Sequence, residues 1–160
     1  MPHPDSYCGR EFEHGQQDCY SLVRDFYRSE YGLELNDYAR PDNWWNSGLN
    51  LYMDNFSKEG FQLLDVLPRE WERGDLFLMA IGSAVACHAA IYLGDGKILH
   101  HFVGRRSNIE PYRGLWRNQT VAVIRHPEVA AKQIRQPTRM DLCDDPRSVK
   151  ALALLSTRRG

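Results

Sequence analysis

The sequence predicts a single α+β domain, in which helices come first and antiparallel strands follow. Before Pro68, apolar residues recur at helical spacing. After Pro68, short apolar runs alternate with turn signals rich in Gly and Asp. The chain has 160 residues, of which 42% are hydrophobic, so it is long enough to bury a core of its own.

Two helices are predicted in the first part of the chain. In residues 18–31, Leu22 and Phe26 belong to an apolar set with the spacing of one helical face, and Gly32 follows as a stop signal. A second helix is predicted over residues 44–56, where large apolar residues again recur three and four apart.

The second part of the chain predicts an antiparallel sheet. Four apolar segments have strand length, at residues 76–81, 89–93, 97–103 and 120–124. The two central segments flank the turn Gly94-Asp95-Gly96 and are therefore expected to form a hairpin.

Residues 127–160 are predicted to be an extension, and residues 1–126 the folded domain. The extension contains three prolines and scattered charges. Its one amphipathic segment, residues 148–155, has leucines that would need another surface to cover them. We therefore expect the extension to be a docking arm.

Composition excludes several classes of function. The net charge is −1, which gives no reason to expect a nucleic-acid partner. No apolar run approaches membrane-spanning length, and the first residues lack the features of a secretory signal, so we expect neither membrane insertion nor signal-dependent export. The cysteines form no CxxC pair, so no metal site is expected, and nothing in the sequence indicates another cofactor.

Cys19 is the candidate nucleophile. It follows Asp18 at the start of the first predicted helix. At that position the helix dipole favours a thiolate and is expected to lower the thiol pKa, and free backbone N–H groups can bind an oxyanion. The alternative is that Cys19 is a small apolar residue on the buried face that carries Leu22 and Phe26.

Two histidines beside the hairpin favour the catalytic interpretation. His88 lies just before the first hairpin strand, and His100 lies on the second. If Gly94-Asp95-Gly96 forms a three-residue loop with a bulge, the two rings lie diagonally on one sheet face, about 7–8 Å apart at Cβ. His88 could then take the proton of Cys19, and His100 could orient the His88 ring.

Other interpretations of these histidines exist. A strict two-residue turn would place His88 and His100 on opposite faces of the sheet. His88 could also be a satisfied histidine at a strand end, and His100 one half of an exposed pair with His101. Strand alternation puts His101 on the face of Leu99, so no role is assigned to it.

These motifs together resemble the NlpC-type cell-wall peptidases, which have a papain-like fold. The resemblance is carried by Asp18-Cys19, by residues 88–97 and by His100, twelve positions after the first histidine. It covers about residues 5–126. The resemblance implies hydrolysis of an amide bond in the stem peptide of peptidoglycan, between D-glutamate and the following diamino acid.

The resemblance also implies roles for individual residues. It assigns catalysis to Cys19, His88 and His100, and contact with the substrate to Tyr7, Asp18 and Ser21. Tyr7 stands twelve residues before Cys19, the spacing at which the family has a tyrosine in its active site. Most family members have Ser directly after the nucleophile, whereas this chain has Tyr20 there and Ser21 next.

Within the family, the sequence is most similar to the C-terminal peptidase domains of tail assembly proteins from lambda-like phages. Further segments carry this narrower resemblance: Arg40-Pro41-Asp42, Trp44-Trp45, Asn50-Leu51-Tyr52 and His100-His101. It implies a place in the phage tail, presence in the host cytoplasm during assembly, and tail-tip proteins as partners.

Two functions follow from the resemblance. The first is a peptidase of the tail tip that opens peptidoglycan during genome entry. The second is a structural tail-tip or assembly protein that uses the fold as a docking module. A lipid acyltransferase of the related permuted type is disfavoured, because those proteins place the histidine before the cysteine. We expect the peptidase.

Overall fold

The computed structural model describes residues 7–47 and 49–135 of the chain. Within them, the helices are α1 (Cys19–Tyr31), α2 (Leu51–Asn55), α3 (Leu115–Asn118) and α4 (Pro127–Arg135). The strands are β1 (Gln62–Leu63), β2 (Leu76–Met79), β3 (His88–Gly94), β4 (Lys97–His100), β5 (Asn108–Pro111) and β6 (Thr120–Arg125). Short 3₁₀ turns lie at Trp44–Asn46 and Pro68–Glu70. The predicted α+β class is confirmed.

Helix α1 has defined signals at both ends. Asp18 is its N-cap, and the Asp18 side chain accepts a hydrogen bond from the backbone N–H of Ser21. Gly32 ends the helix in the left-handed conformation, at φ 66°. The buried face of α1 includes Leu22 and Phe26, as predicted. The capping places Cys19 at the first residue of the helix.

The six strands form one antiparallel sheet in the order β1-β6-β2-β3-β4-β5. One face packs against α1 and contributes Leu78, Ile91 and Leu99 to that core. The other face carries Phe77, Ala90 and Ile98, covered by Tyr112 and Trp116. Because both faces are covered, the central strands are almost fully apolar.

The hairpin between β3 and β4 has the predicted register. Ala90 pairs with His100, and the pairing becomes irregular between Tyr92 and Gly94. The expected bulge is therefore present, but it lies at Leu93 within β3. The predicted three-residue loop is wrong, because Gly94 pairs with Lys97 and the loop is only Asp95-Gly96. Since Ala90 faces His100 and alternate residues share a face, His88 and His100 lie on the same side of the sheet.

The region predicted as the second helix is interrupted. Its first part is a 3₁₀ turn, and its last part is α2, preceded by Asn50 in a non-helical conformation at φ −99° and ψ 67°. Strands β1 and β5 were not predicted. Both are short edge strands, and the strand β5 ends in Pro111, a residue that an edge strand tolerates.

The predicted boundary at residue 126 falls directly before a helix that contributes to the core. Helix α4 follows β6 directly and packs near α1, and its Val129 is fully buried in the core beneath that helix. Val129 packs closely against the backbone at Gly74, since a Cβ added to Gly74 would lie only 3.2 Å from Val129 Cγ1. The docking arm and the helix predicted at 148–155 lie outside the described residues. No helix in the described part is long and apolar enough to cross a membrane.

Candidate active site

A cleft of about 140 Å³ opens at the N-terminal end of α1, between the helix and the ends of β3 and β4. Its polar and thiol lining consists of His14, Asp18, Cys19, Arg40, Cys87, His88 and His101. Its apolar and aromatic lining includes Phe12, Trp44, Trp45, Tyr52, Ile81 and Phe102. The nucleophile candidate and a histidine therefore share one concave site.

Cys19 lies in this cleft as a partly exposed free thiol. Its Sγ forms a hydrogen bond of 3.0 Å with the hydroxyl of Tyr52 on α2. Burial, followed by the charge of Asp18, raises the pKa of the Cys19 thiol to about 11, although Tyr52 and the backbone of Ala89 oppose this. The prediction of a lowered thiol pKa is wrong, because burial and the Asp18 carboxylate raise the pKa.

Asp18 fixes the turn that delivers the nucleophile. One carboxylate oxygen accepts hydrogen bonds from the backbone N–H of Ser21 at 3.0 Å and from its hydroxyl at 2.9 Å. The other accepts from the backbone N–H of Gly15 at 2.9 Å and from Arg40 Nε at 2.7 Å. Although burial opposes ionisation, the bonds from Ser21 and Arg40 lower the pKa of Asp18 below its ordinary value. The capping residue therefore stays charged.

A chain of hydrogen bonds runs from the cleft to the far edge of the sheet. His88 Nε2 lies 2.9 Å from His100 Nδ1, and His100 Nε2 lies 2.5 Å from a carboxylate oxygen of Glu110 on β5. The other oxygen of Glu110 accepts a 3.0 Å bond from Arg105. An ionised carboxylate can only accept, so His100 carries its proton on Nε2. His100 Nδ1 must then accept from His88 Nε2, which leaves His88 Nδ1 unprotonated and basic.

The pKa values agree with this assignment of protons. Burial lowers the pKa of His88 well below its ordinary value of 6.5, and His100 and His101 add to the effect. Burial also lowers the pKa of His100, although Glu110 opposes it. Glu110 is itself partly buried, but hydrogen bonds from Arg105 and His100 lower its pKa below the ordinary value. Two neutral rings and one carboxylate are therefore expected at pH 7.

Aromatic side chains hold both rings in place. His88 lies edge-to-face against Phe102 at 5.3 Å between ring centroids, and His100 lies against Trp116 at 4.5 Å. These contacts restrict the ring rotation that would break the hydrogen-bond chain. Within residues 7–47 and 49–135, no group of three or more His, Cys, Asp or Glu side chains is arranged to hold a metal ion.

Residues 8–125 match the model of the NlpC/P60 family. The chain belongs to the NlpC/P60 family. The predicted resemblance is thereby confirmed. Among solved structures, one similar fold is that of a Staphylococcus aureus Mu50 protein described as similar to lipoprotein, NLP/P60 family, with a TM-score of 0.52 and 17% identity. That comparison covers 76% of this chain and 38% of the other.

Two curated relatives of this NlpC/P60 chain are phage proteins. It is 45% identical over 118 residues to tail tip assembly protein K of Escherichia phage lambda, covering 74% of this chain and 58% of that protein. It is 34% identical over 126 residues to tail tip assembly protein K of Escherichia phage N15, covering 78% of this chain and 51% of that protein. The chain thus spans little more than half the length of either relative.

Of the residues predicted to be catalytic, Cys19 and His88 line the cleft, and His100 bonds to His88. The residues predicted to bind substrate have other contacts. Asp18 lines the cleft, yet both of its oxygens are engaged in the turn before the nucleophile. Ser21 bonds to Asp18 and Arg40 and is not among the lining residues. Tyr7 is buried against Phe26 at 5.8 Å and does not line the cleft either. The geometry gives these residues structural roles.

Sequence reasoning missed three residues of this NlpC/P60 site. Tyr52 was taken for part of the apolar face of a helix, and Glu110 lies between the predicted strands 97–103 and 120–124, where no element was predicted. His101 was correctly placed on the face of Leu99, but that face is the one that packs against α1. Cys19 is the first residue of α1, and His101 on this face lines the same cleft as Cys19.

Proposed function

We propose that this chain is a cysteine endopeptidase that hydrolyses an amide bond in the stem peptide of peptidoglycan. The observation that carries the proposal is the hydrogen-bond chain from His88 through His100 to Glu110, set beside a thiol at a helix N-terminus. A nucleophile, a base and a group that orients the base are the parts that acyl transfer needs.

The protonation states support a general-base mechanism. At rest the thiol of Cys19 is protonated, and the ring of His88 is neutral. His88 takes the thiol proton as the sulfur attacks the substrate carbonyl, and it then donates that proton to the leaving amine. A water molecule then hydrolyses the thioester, again with His88 as base. Glu110 stabilises the transient imidazolium through His100.

The oxyanion of the tetrahedral intermediate has donors nearby. The backbone N–H groups of the first turn of α1 carry the positive end of the helix dipole, although that of Ser21 already donates to Asp18. Burial, followed by the neighbouring Cys19, raises the pKa of Tyr52 well above its ordinary value, so its hydroxyl keeps its proton. That hydroxyl is 3.0 Å from Sγ and can donate to charge that develops there.

The proposed substrate and the proposed location in the phage tail are supported by similarity to related proteins. Resemblance to cell-wall members of the family supports cleavage between D-glutamate and the following diamino acid. The similarity to tail tip assembly protein K of phages lambda and N15 supports a place in the virion tail, after assembly in the host cytoplasm with other tail-tip proteins. In that setting, hydrolysis would open the cell wall locally to aid genome entry.

An assembly or docking role is the second candidate. The names of both phage relatives describe assembly. The chain also exposes apolar side chains at the β1 edge of the sheet, with Leu63 at 59% and Val121 on the neighbouring strand β6 at 58% exposure. Exposed apolar groups at a sheet edge are typical of surfaces that another protein covers.

Digestion of purified peptidoglycan separates the two functions. Wild-type protein is expected to release stem-peptide fragments that mass spectrometry identifies, and Cys19→Ala is expected to release none. Cys87→Ala is the matched control, since Cys87 is a free thiol that lines the same cleft but bonds to the backbone of Ile81. If wild type and Cys19→Ala release the same products, the peptidase proposal fails and the docking role remains.

A further inference from the structure

His101 occupies an unusual position in the cleft. Strand β4 ends at His100, and the next residue turns its ring towards the side of the sheet that carries α1. The ring is fully buried and lies edge-to-face against Phe12, at 5.2 Å between centroids. It lines the same cleft as Cys19.

Neither ring nitrogen of His101 has a well-aligned hydrogen-bond partner among the described residues, although backbone groups of Arg105 and Arg10 lie near enough to raise its pKa. A buried polar group without a partner is unfavourable, and a phenylalanine would fill similar space without that cost. His88 and His100, by contrast, bond to each other, and His100 bonds on to Glu110. The hydrogen-bonding capacity of His101 is therefore free for a molecule that enters the cleft.

We propose that His101 is a substrate-binding residue whose ring N–H donates a hydrogen bond to an oxygen of the peptide substrate. This inference rests on the peptidase function proposed above. A stem peptide offers two kinds of oxygen, amide carbonyls and carboxylates, and either can accept from an imidazole.

Burial and the neighbouring charges determine the protonation state of the His101 ring. Burial lowers the pKa of His101, and the positive charge of Arg10 adds to this, while Asp18 and backbone groups of Arg105 and Arg10 oppose it. His88, which also faces His101, is neutral. The ring is therefore a neutral donor at pH 7. A substrate carboxylate would raise its pKa on binding, whereas a carbonyl would leave it nearly unchanged.

Two variants at position 101 test the inference, with kcat and KM measured on a soluble stem peptide. His101→Phe is expected to raise KM roughly tenfold with little change in kcat, since one hydrogen bond to substrate is lost. It should leave the melting temperature unchanged or higher, because an unpaired polar ring is replaced by an apolar one. His101→Gln, which keeps an N–H donor, should recover most of the binding.

The matched control is His126→Phe, because His126 packs against Phe61 and does not line the cleft. Its KM should equal that of wild type. A wild-type KM that rises between pH 6 and 8, and loses this dependence in His101→Gln, identifies a carboxylate as the acceptor. A KM that is flat with pH in both proteins identifies a carbonyl.

Two results would overturn the inference in distinguishable ways. If wild type hydrolyses the peptide and His101→Phe keeps its KM, or if both substitutions at position 101 lower the melting temperature by a similar large amount, His101 is only a structural residue. If wild type hydrolyses neither the peptide nor peptidoglycan, the peptidase proposal fails, and this inference fails with it.

Discussion

Substitution of Glu110 by Gln tests the link between the sheet edge and the catalytic base. Arg105 can only donate hydrogen bonds, and it contacts one carboxylate oxygen of Glu110 at 3.0 Å. In the variant, Arg105 should therefore hold the amide oxygen and turn the NH₂ group towards His100. His100 Nε2 would then have to accept, so its proton moves to Nδ1. His88 would in turn carry its proton on Nδ1, where it can no longer take one from Cys19.

The expected effect is large on catalysis and small on stability. A base held in the wrong tautomer costs roughly two to four orders of magnitude in kcat in comparable hydrolases. The lost charge-assisted bond to a partly exposed carboxylate should lower the free energy of unfolding by about 1–2 kcal/mol. In a domain of this size, that corresponds to a fall in melting temperature of only a few degrees.

The assay is hydrolysis of a soluble stem peptide, combined with ¹⁵N NMR of the histidine rings. Arg105→Met is the matched control, because it keeps the bond from His100 to Glu110 and should cost less than tenfold in kcat. In the double variant Arg105→Met/Glu110→Gln, the amide is free to flip and present its oxygen to His100. Part of the activity should then return. If Glu110→Gln alone keeps kcat within tenfold of wild type while its fold is intact, the tautomer argument is wrong.

Four further outcomes are expected. Alkylation of Cys19 by iodoacetamide should be slow at pH 7 and rise about tenfold per pH unit towards the thiol pKa of about 11, as read by peptide mass spectrometry. Tyr52→Phe should lower kcat roughly 10- to 100-fold with little change in KM, if its hydroxyl donates to the developing charge. His88 is neutral in the folded state, but its pKa is about 6.5 once unfolded. The free energy of unfolding in urea should therefore decrease as pH falls below about 6.5, and His88→Phe should weaken this dependence. Val129→Ala should destabilise the protein by about 1–3 kcal/mol in the same urea assay, and truncation after His126 should destabilise it further. An unchanged midpoint in both would place α4 outside the core.

Local signals in the sequence were sufficient for α1 and for the β3–β4 hairpin. Asp18 and Gly32 are residues whose chemistry specifies the two ends of a helix, and both act as expected. The glycine-rich turn predicts the hairpin, and the bulge at Leu93 within β3 then places His88 and His100 on one face. Of the nucleophile Cys19 and the hydrogen-bonded residues His88, His100 and Glu110, the first three were therefore predictable.

Glu110 was not predictable, because its place depends on a pairing that the local sequence does not encode. Residues Asn108–Pro111 show no clear alternation of apolar and polar groups, and they become a strand only by pairing with β4. Glu110 pairs with Ile98, which puts its side chain on the face of His100, one diagonal step away. Tyr52 was missed for a related reason, since the interruption before α2 sets where its hydroxyl lies.

The protonation of the thiol decides where the reactivity of this site must come from. Burial, followed by the charge of Asp18, raises the pKa of Cys19, so the ionised residue that positions the nucleophile also disfavours its thiolate. A preformed thiolate is therefore not available, and attack must depend on the basicity of His88. The tautomer that leaves His88 Nδ1 free to accept a proton is set by a carboxylate two hydrogen bonds away. A docking module has no need of two buried rings ordered in one tautomer behind a thiol, whereas a general-base peptidase needs this arrangement.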